Sequence, residues 1–211
     1  ANAKYFHVGD LSSGYWQIPM AEDSIEKTGF SCRKGLFEWL RMPFGLNTAS
    51  QTFQRTMQTL FSDMQFTSVL IYIDDIVIYG PDFQTCLDRL KQVGSKLRLA
   101  NLKLKPRKCK FFQKSIKYLG FVIDSESGIK TDPQKIESIK NWPQPQTKKA
   151  VKSWLGMVGF YRRFIPNFSQ IAKPLNALTA KDAEFNFDQS CVDSFNTMKN
   201  LLINAPILRF S

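Results

Sequence analysis

Short apolar runs with strand-like alternation dominate the first half of the chain, and longer stretches with apolar residues at helical spacing lie between and after them. Tyr5, Phe6 and Val8 predict a short buried strand ending at Gly9-Asp10, followed by Leu11-Ser12-Ser13-Gly14, whose small residues suit a turn or short helix. Thr28–Arg33 and Leu36–Leu40 read as two strands around Lys34-Gly35. After the breakers Pro43 and Gly45, Phe53, Met57, Leu60, Phe61 and Met64 predict a helix over Thr48–Met64 that backs the sheet. Val69–Ile73 and Ile76–Tyr79 are β-branched runs separated only by Asp74-Asp75, the pattern of a tight hairpin with the acids at its tip. Leu87, Leu90, Val93 and Leu97 then place a helix over Phe83–Leu99.

The second half has a different character. A basic stretch, Lys103–Lys110, leads into a strand-like Lys117–Ile123. Asp132-Pro133 opens a helix that Pro143 and Pro145 break, and Thr147–Phe164 and Asp188–Ile203 read as further helices, the last ending before Pro206. The change places a domain boundary near Ser125–Thr131.

Composition narrows the function classes. Lys plus Arg number 29 against 18 for Asp plus Glu, a formal charge of +11, which favours a polyanionic partner, nucleic acid first, although a basic balance also serves solubility. Cys32, Cys86, Cys109 and Cys191 lie far apart without a C-x-x-C pair, so they read as reduced intracellular thiols and not as a zinc knuckle or disulfide framework. His7 is the only histidine, which excludes a multi-histidine metal site and leaves carboxylates to carry any catalysis. No apolar run reaches the roughly 18 residues that span a bilayer, so a soluble protein without a membrane partner is expected. The immediate entry into a strand suggests a chain cut from something longer.

Adjacent ionised carboxylates between buried strands repel one another, which is tolerable if they are solvated or share a cation. An Asp-rich turn is the plain alternative for Asp74-Asp75. Asp10, at the end of another strand, adds a third acid, and hard oxygen ligands on adjacent strands hold Mg²⁺ alongside substrate phosphates. Two such ions can activate a primer 3′-hydroxyl and neutralise a leaving pyrophosphate. Whether the strands are neighbours is left open by the sequence.

Tyr72-Ile73-Asp74-Asp75 resembles the Y-x-D-D signature of reverse transcriptases, with surroundings similar to those of gypsy-like LTR retrotransposons. Asp10-Leu11-Ser12-Ser13-Gly14-Tyr15-Trp16-Gln17-Ile18 resembles the family's first catalytic motif, and Arg41-Met42-Pro43-Phe44-Gly45-Leu46-Asn47 its substrate- and template-contacting motif. Tyr118-Leu119-Gly120 resembles the primer grip, and Trp154-Leu155-Gly156-Met157-Val158-Gly159-Phe160-Tyr161-Arg162 the thumb helix that tracks the duplex minor groove. The resemblance spans essentially the whole chain in the family's order.

It implies an α+β right-hand polymerase: a palm, with an antiparallel sheet backed by helices, over 1–126, a helical thumb over 127–181, and the start of a connection domain over 182–211. Asp10 and Asp74 would be the principal ligands of two Mg²⁺ ions (Mn²⁺ being an alternative), with Asp75 completing the cluster and the Leu11 carbonyl joining. Tyr15 would be the steric gate against a ribose 2′-hydroxyl, and Phe44 and Gly45 would border the nascent base pair, packing being the alternative for both rings. Lys108, in a run that otherwise reads as a solvated loop, is a general-acid candidate. Tyr72, Tyr118, Leu119, Gly120, Gly156, Gly159, Phe160, Arg162 and Arg163 would meet nucleic acid, although the two helical glycines could equally mark tight packing inside the protein. The implied partners are RNA template, DNA primer, their duplex and dNTPs. The implied location is cytoplasmic, within virus-like particles. The family's upstream fingers strands are absent, so only about Gln17–Leu40 supplies a fingers remnant, and RNase H, protease and integrase motifs are absent too. A fragment of a polyprotein product is the leading expectation. A catalytically silent binding remnant is its rival.

Overall fold

The computed structural model describes residues 3–11 and 13–205, so Ser12 of the first acidic motif and the segment from Pro206 onward lie outside the described residues. The chain divides into two compact units, Ala1–Ile116 and Lys117–Ser211.

In the first unit, β1 (Tyr5–Asp10) runs at the centre of a sheet. α1 (Glu22–Ile25) and a 3₁₀ turn precede a separate two-stranded sheet of β2 (Phe30–Cys32) and β3 (Gly35–Phe37), shorter than the sequence pattern predicts. The side chains of β2 and β3 are exposed, and Phe30 stacks on Phe37 and on Trp39 with ring centroids 5.9 and 5.4 Å apart. α2 (Ala49–Leu60) follows, then β4 (Val69–Tyr72), β5 (Asp75–Gly80), α3 (Phe83–Leu99) and β6 (Lys110–Gln113). The four-stranded order is β4-β5-β1-β6. β5 pairs antiparallel with both β4 and β1.

Burial explains the helices. Phe53, Met57 and Phe61 are fully enclosed on one side of α2, and Val93 and Leu97 on one side of α3; all join Val69, Ile71, Ile76 and Ile78 of the sheet in one core. α3 starts where the Asp82 carboxylate accepts the Thr85 N–H at 2.8 Å and ends with Lys96 and Arg98 near its negative pole. β6 was hidden in the sequence behind the basic stretch. It pairs with β1 through an irregular register, and the Phe112 N–H donates to Nδ1 of buried His7 at 3.1 Å.

The second unit opens differently from expectation. Lys117–Ile123 is not one strand but parts of β7 (Ser115–Tyr118) and β8 (Phe121–Asp124), reversed at Leu119-Gly120, where φ is +48° and +77°. Positive φ at both central residues is the geometry of a type I′ hairpin turn, whose twist matches that of the strands. β8 pairs antiparallel with β9 (Gly128–Thr131), completing a sheet of order β7-β8-β9. The compositional change at Ser125–Thr131 therefore falls within the second unit, at the step from sheet to helices.

α4 (Pro133–Lys140), α5 (Lys148–Phe160) and α8 (Gln189–Ile203) are capped by the side chains of Asp132, Thr147 and Asp188, which accept the N–H groups of Gln134, Ala150 and Cys191. The predicted run to Phe164 breaks at Tyr161 into a 3₁₀ turn, Arg162–Phe164. The short helices α6 (Phe168–Ile171) and α7 (Lys173–Leu178) complete the unit. Trp154 is fully buried, its ring centroid 4.5 Å from Phe195, among Ile139, Val151, Val158, Met198 and Leu202. Among the described residues no helix is long and apolar enough to cross a membrane.

A leucine at positive φ is conformationally costly, and asparagine tolerates that region better. Leu119→Asn should therefore raise the stability of the protein by up to about 1 kcal/mol, read as an upward shift of the thermal midpoint. An unchanged or lowered midpoint would mean that the partly exposed leucine contributes more by packing than its backbone costs.

Candidate active site

Antiparallel pairing puts Asp10, the last residue of β1, directly opposite Asp75, the first of β5. Tyr72 faces Asp75 across the β4–β5 hairpin, so the turn is made of Ile73 and Asp74. The predicted tip thus holds one acid, and Asp75 belongs to the strand. Ile73 takes φ +52°, unusual for a β-branched residue. Two contacts hold it there: its N–H donates to Gln54 Oε1 at 2.6 Å, and Gln54 Nε2 donates to the Ile71 carbonyl at 3.3 Å. The Leu11 N–H donates to the Asp74 carbonyl at 3.2 Å, tying the chain beyond β1 to the same turn. The side chain of Leu11 is buried in the core.

Gly14 is a structural requirement. A Cβ there would run into Asp74 Oδ1 and come within 2.7 Å of the Phe53 ring. No side chain fits between that carboxylate and α2. Gly14 belongs to the run that resembles the first catalytic motif, but its steric role is visible only in the structure, and Gln54 reads in the sequence as a polar position on an amphipathic helix.

The cluster is electrostatically unbalanced. Burial raises the Asp74 carboxyl above its ordinary value, and the charges of Asp10 and Asp75 add to the effect. Burial and then Asp10 raise Asp75 in the same way. Asp74 Oδ1 is buried without a hydrogen-bond partner. Lys108 supplies the compensating charge, its Nζ 3.0 Å from Asp10 Oδ2. That hydrogen bond, followed by the attraction of the acids, raises the lysine's own pKa.

A divalent cation suits this donor chemistry. The oxygens are hard, one is orphaned, and an ammonium already sits on the cluster as a stand-in cation. As the side chains stand, no group of three His, Cys, Asp or Glu among the described residues converges with metal-site geometry.

Two of the other candidates of this unit, Tyr15 and Phe44, pack against each other. Tyr15 shares a 2.7 Å hydrogen bond with Ser50 Oγ, and its ring lies 5.5 Å from Phe53 and 5.3 Å from Phe44. Phe44 is 61% exposed, which removes core packing as its reason for being apolar. Gly45 has φ +93°. Tyr72 is half exposed beside the turn.

The second unit brings its own candidates together. The Gly120 carbonyl accepts from Tyr161 Oη at 3.2 Å, and a Cβ on Gly120 would press on Tyr161 and on the Phe160 ring. Phe160 is exposed and stacks on Phe121, with centroids 5.1 Å apart. Tyr118 is half buried in β7 beside this turn, and Leu119 is partly exposed. A Cβ on Gly156 or Gly159 would meet nothing within 4 Å, so internal packing does not explain these glycines. Arg162 and Arg163 are exposed and border an open cleft with Asn167 and Phe168.

Carboxylates at the end of two paired strands are the layout of a polymerase palm, and the second unit by itself presents a helix face opened by glycines. The chain belongs to the reverse transcriptase (RNA-dependent DNA polymerase) family, whose model matches residues 1–123. It is 39% identical to the retrovirus-related Pol polyprotein from transposon 297 of Drosophila melanogaster, over 98% of this chain and 20% of that protein. It is 33% identical to that from transposon gypsy of the same organism, over 98% and 21%. The resemblance to gypsy-like retrotransposon enzymes is thereby borne out. Among solved structures, the foamy viral protease-reverse transcriptase dRH in complex with double-stranded DNA superposes with a TM-score of 0.87 at 28% identity, over 98% of this chain and 36% of that one. The α+β palm-and-thumb fold is borne out with it. The chain spans about a fifth of the curated relatives' length.

Raised carboxyl pKa values oppose folding once the groups ionise: stability available below the ordinary carboxyl range is lost as pH rises through the raised values of Asp74 and Asp75. Asp74→Asn should therefore raise the thermal midpoint at pH above the raised value of Asp74, and the gain should shrink as pH falls through it. A lower midpoint at pH above that value would show that the Asp74 charge is compensated in the folded protein.

Proposed function

We propose that this chain is the polymerising segment of an RNA-directed DNA polymerase that extends a DNA primer with dNTPs on an RNA template. The observation that carries the reading is the pairing of Asp10 with Asp75 beside Asp74, in a member of the reverse transcriptase family. Asp10, Asp74 and Asp75, with the Leu11 carbonyl, would hold Mg²⁺ or Mn²⁺. Bound in a pair, such ions activate a primer 3′-hydroxyl and neutralise charge on the departing pyrophosphate.

The chain's other groups have positioning work. Tyr15, braced by Ser50 and Phe53, offers a wall beside the acids that a ribose 2′-hydroxyl would strike. Exposed Phe44, with Gly45 after it, gives the nascent base pair an apolar surface. Lys108, beside the acids, can hand a proton to the leaving phosphate. Leu119, at the tip of the β7–β8 turn, and Tyr72 meet the primer. Gly156 and Gly159 let a duplex approach α5, while Arg162 and Arg163 contact phosphates without reading sequence. The assignment of 1–126 to palm, with 17–40 as a fingers remnant, 127–181 to thumb and 182–211 to the opening of a connection domain belongs to the same proposal, as does residence in cytoplasmic virus-like particles.

Primer extension on an RNA template, by protein that also carries upstream fingers strands, tests the reading. Wild type should extend, and Asp74→Asn should lose at least about a hundredfold in rate, the scale of removing one preorganised electrostatic contact, while binding duplex as before. Extension by the variant within tenfold of wild type would overturn the assignment. Salt-sensitive duplex binding without extension by either protein would identify a silent binding remnant instead.

A further inference from the structure

The seat that Lys108 occupies and the proton delivery proposed for it need different positions. Its ammonium hydrogen-bonds Asp10 Oδ2 at 3.0 Å, on the strand end where a cation would bind, whereas proton delivery to a leaving phosphate requires it to be off that carboxylate. We propose that Lys108 is an internal counter-cation, seated on Asp10 while the acidic cluster is metal-free and displaced toward the substrate when a divalent ion binds. The proposal rests on the metal-holding reading of Asp10, Asp74 and Asp75.

The surrounding structure permits such a swing. The backbone below the lysine is tied down: the Lys105 N–H donates to the Asp10 carbonyl at 2.8 Å, and the Lys108 N–H closes a turn onto the Lys105 carbonyl at 2.9 Å. Above that anchor the side chain is 56% exposed, so its four-carbon stem can reorient without disturbing any core. The grip on the cluster is also incomplete. The ammonium reaches Asp10, but Asp74 Oδ1 remains buried and unpartnered. A single charge at one corner leaves work for a divalent ion, which can ligate several carboxylates together. An exchange of cations would couple metal loading to release of the proton donor.

Mn²⁺ binding, followed by the electron paramagnetic resonance of free Mn²⁺ at low ionic strength, tests this on wild type, Lys108→Met, Lys108→Arg and Lys105→Met. Displacement predicts that Lys108→Met binds Mn²⁺ about fivefold more tightly, since the metal no longer competes with an ion pair of ordinary strength. Lys108→Arg should match wild type or bind more weakly. Lys105→Met removes the same charge from the same loop without touching a carboxylate, and should change affinity less than twofold. Equal tightening by both methionine variants would reduce the effect to general charge and overturn the proposal. Unchanged or weaker binding by Lys108→Met would overturn it while leaving the metal reading intact. Absence of Mn²⁺ binding by all four proteins would remove both.

Discussion

Pairing of β1 with β5 in the register that sets Asp10 against Asp75 is the constraint on which the rest of the first unit depends. Side chains alternate faces along a strand, so a slip of one residue would turn one strand over, sending Asp10 of β1 to the wrong side or exposing Ile76 and Ile78 of β5, which share a core with α2 and α3. The core therefore enforces the register. The register in turn forces two carboxylates to confront each other at the sheet's end, with a third in the adjoining turn. Apolar burial stabilises an arrangement that electrostatics resists.

That resistance explains several local features. Ile73 is held at positive φ by Gln54, Gly14 is bare so that Asp74 fits against Phe53, and Lys108 leans onto Asp10. Each cost is one that a purely structural turn could avoid by having fewer acids. A site that works by gathering cations around phosphates needs the unfavourable arrangement beforehand, because carboxylates assembled only on demand would lose the benefit of preorganisation. The second unit shows a parallel economy: Leu119 accepts a backbone region better suited to asparagine, and Gly156 and Gly159 leave a helix face open.

Elements with strong periodicity were legible in the sequence. β1 and α3 fall on their predicted residues, and α2 and α8 lie within or at the predicted spans, because one apolar stripe facing one core leaves little ambiguity. The β7–β8 hairpin was not legible, since Leu119-Gly120 lacks the Asn-Gly or Asp-Gly signature of its turn type and the apolar run continues through it. β6 was masked by its basic flanks. In the site, the acids, Tyr15 and Lys108 could be nominated from motif resemblance, but the pairing of Asp10 with Asp75 is a product of strand order. Gln54 acts through the backbone of a residue 19 positions away, a relation no local pattern records.

In the proposed reading the strand-end acids form a cation-binding centre from which Lys108 withdraws. Anomalous diffraction from crystals grown with and without Mn²⁺ addresses it most directly. An anomalous peak should appear bounded by the carboxylates of Asp10, Asp74 and Asp75, with Lys108 Nζ beyond hydrogen-bonding distance of Asp10 in the loaded crystal and against it in the metal-free one. Acids left without a peak at saturating Mn²⁺, with Lys108 still seated on Asp10, would contradict it.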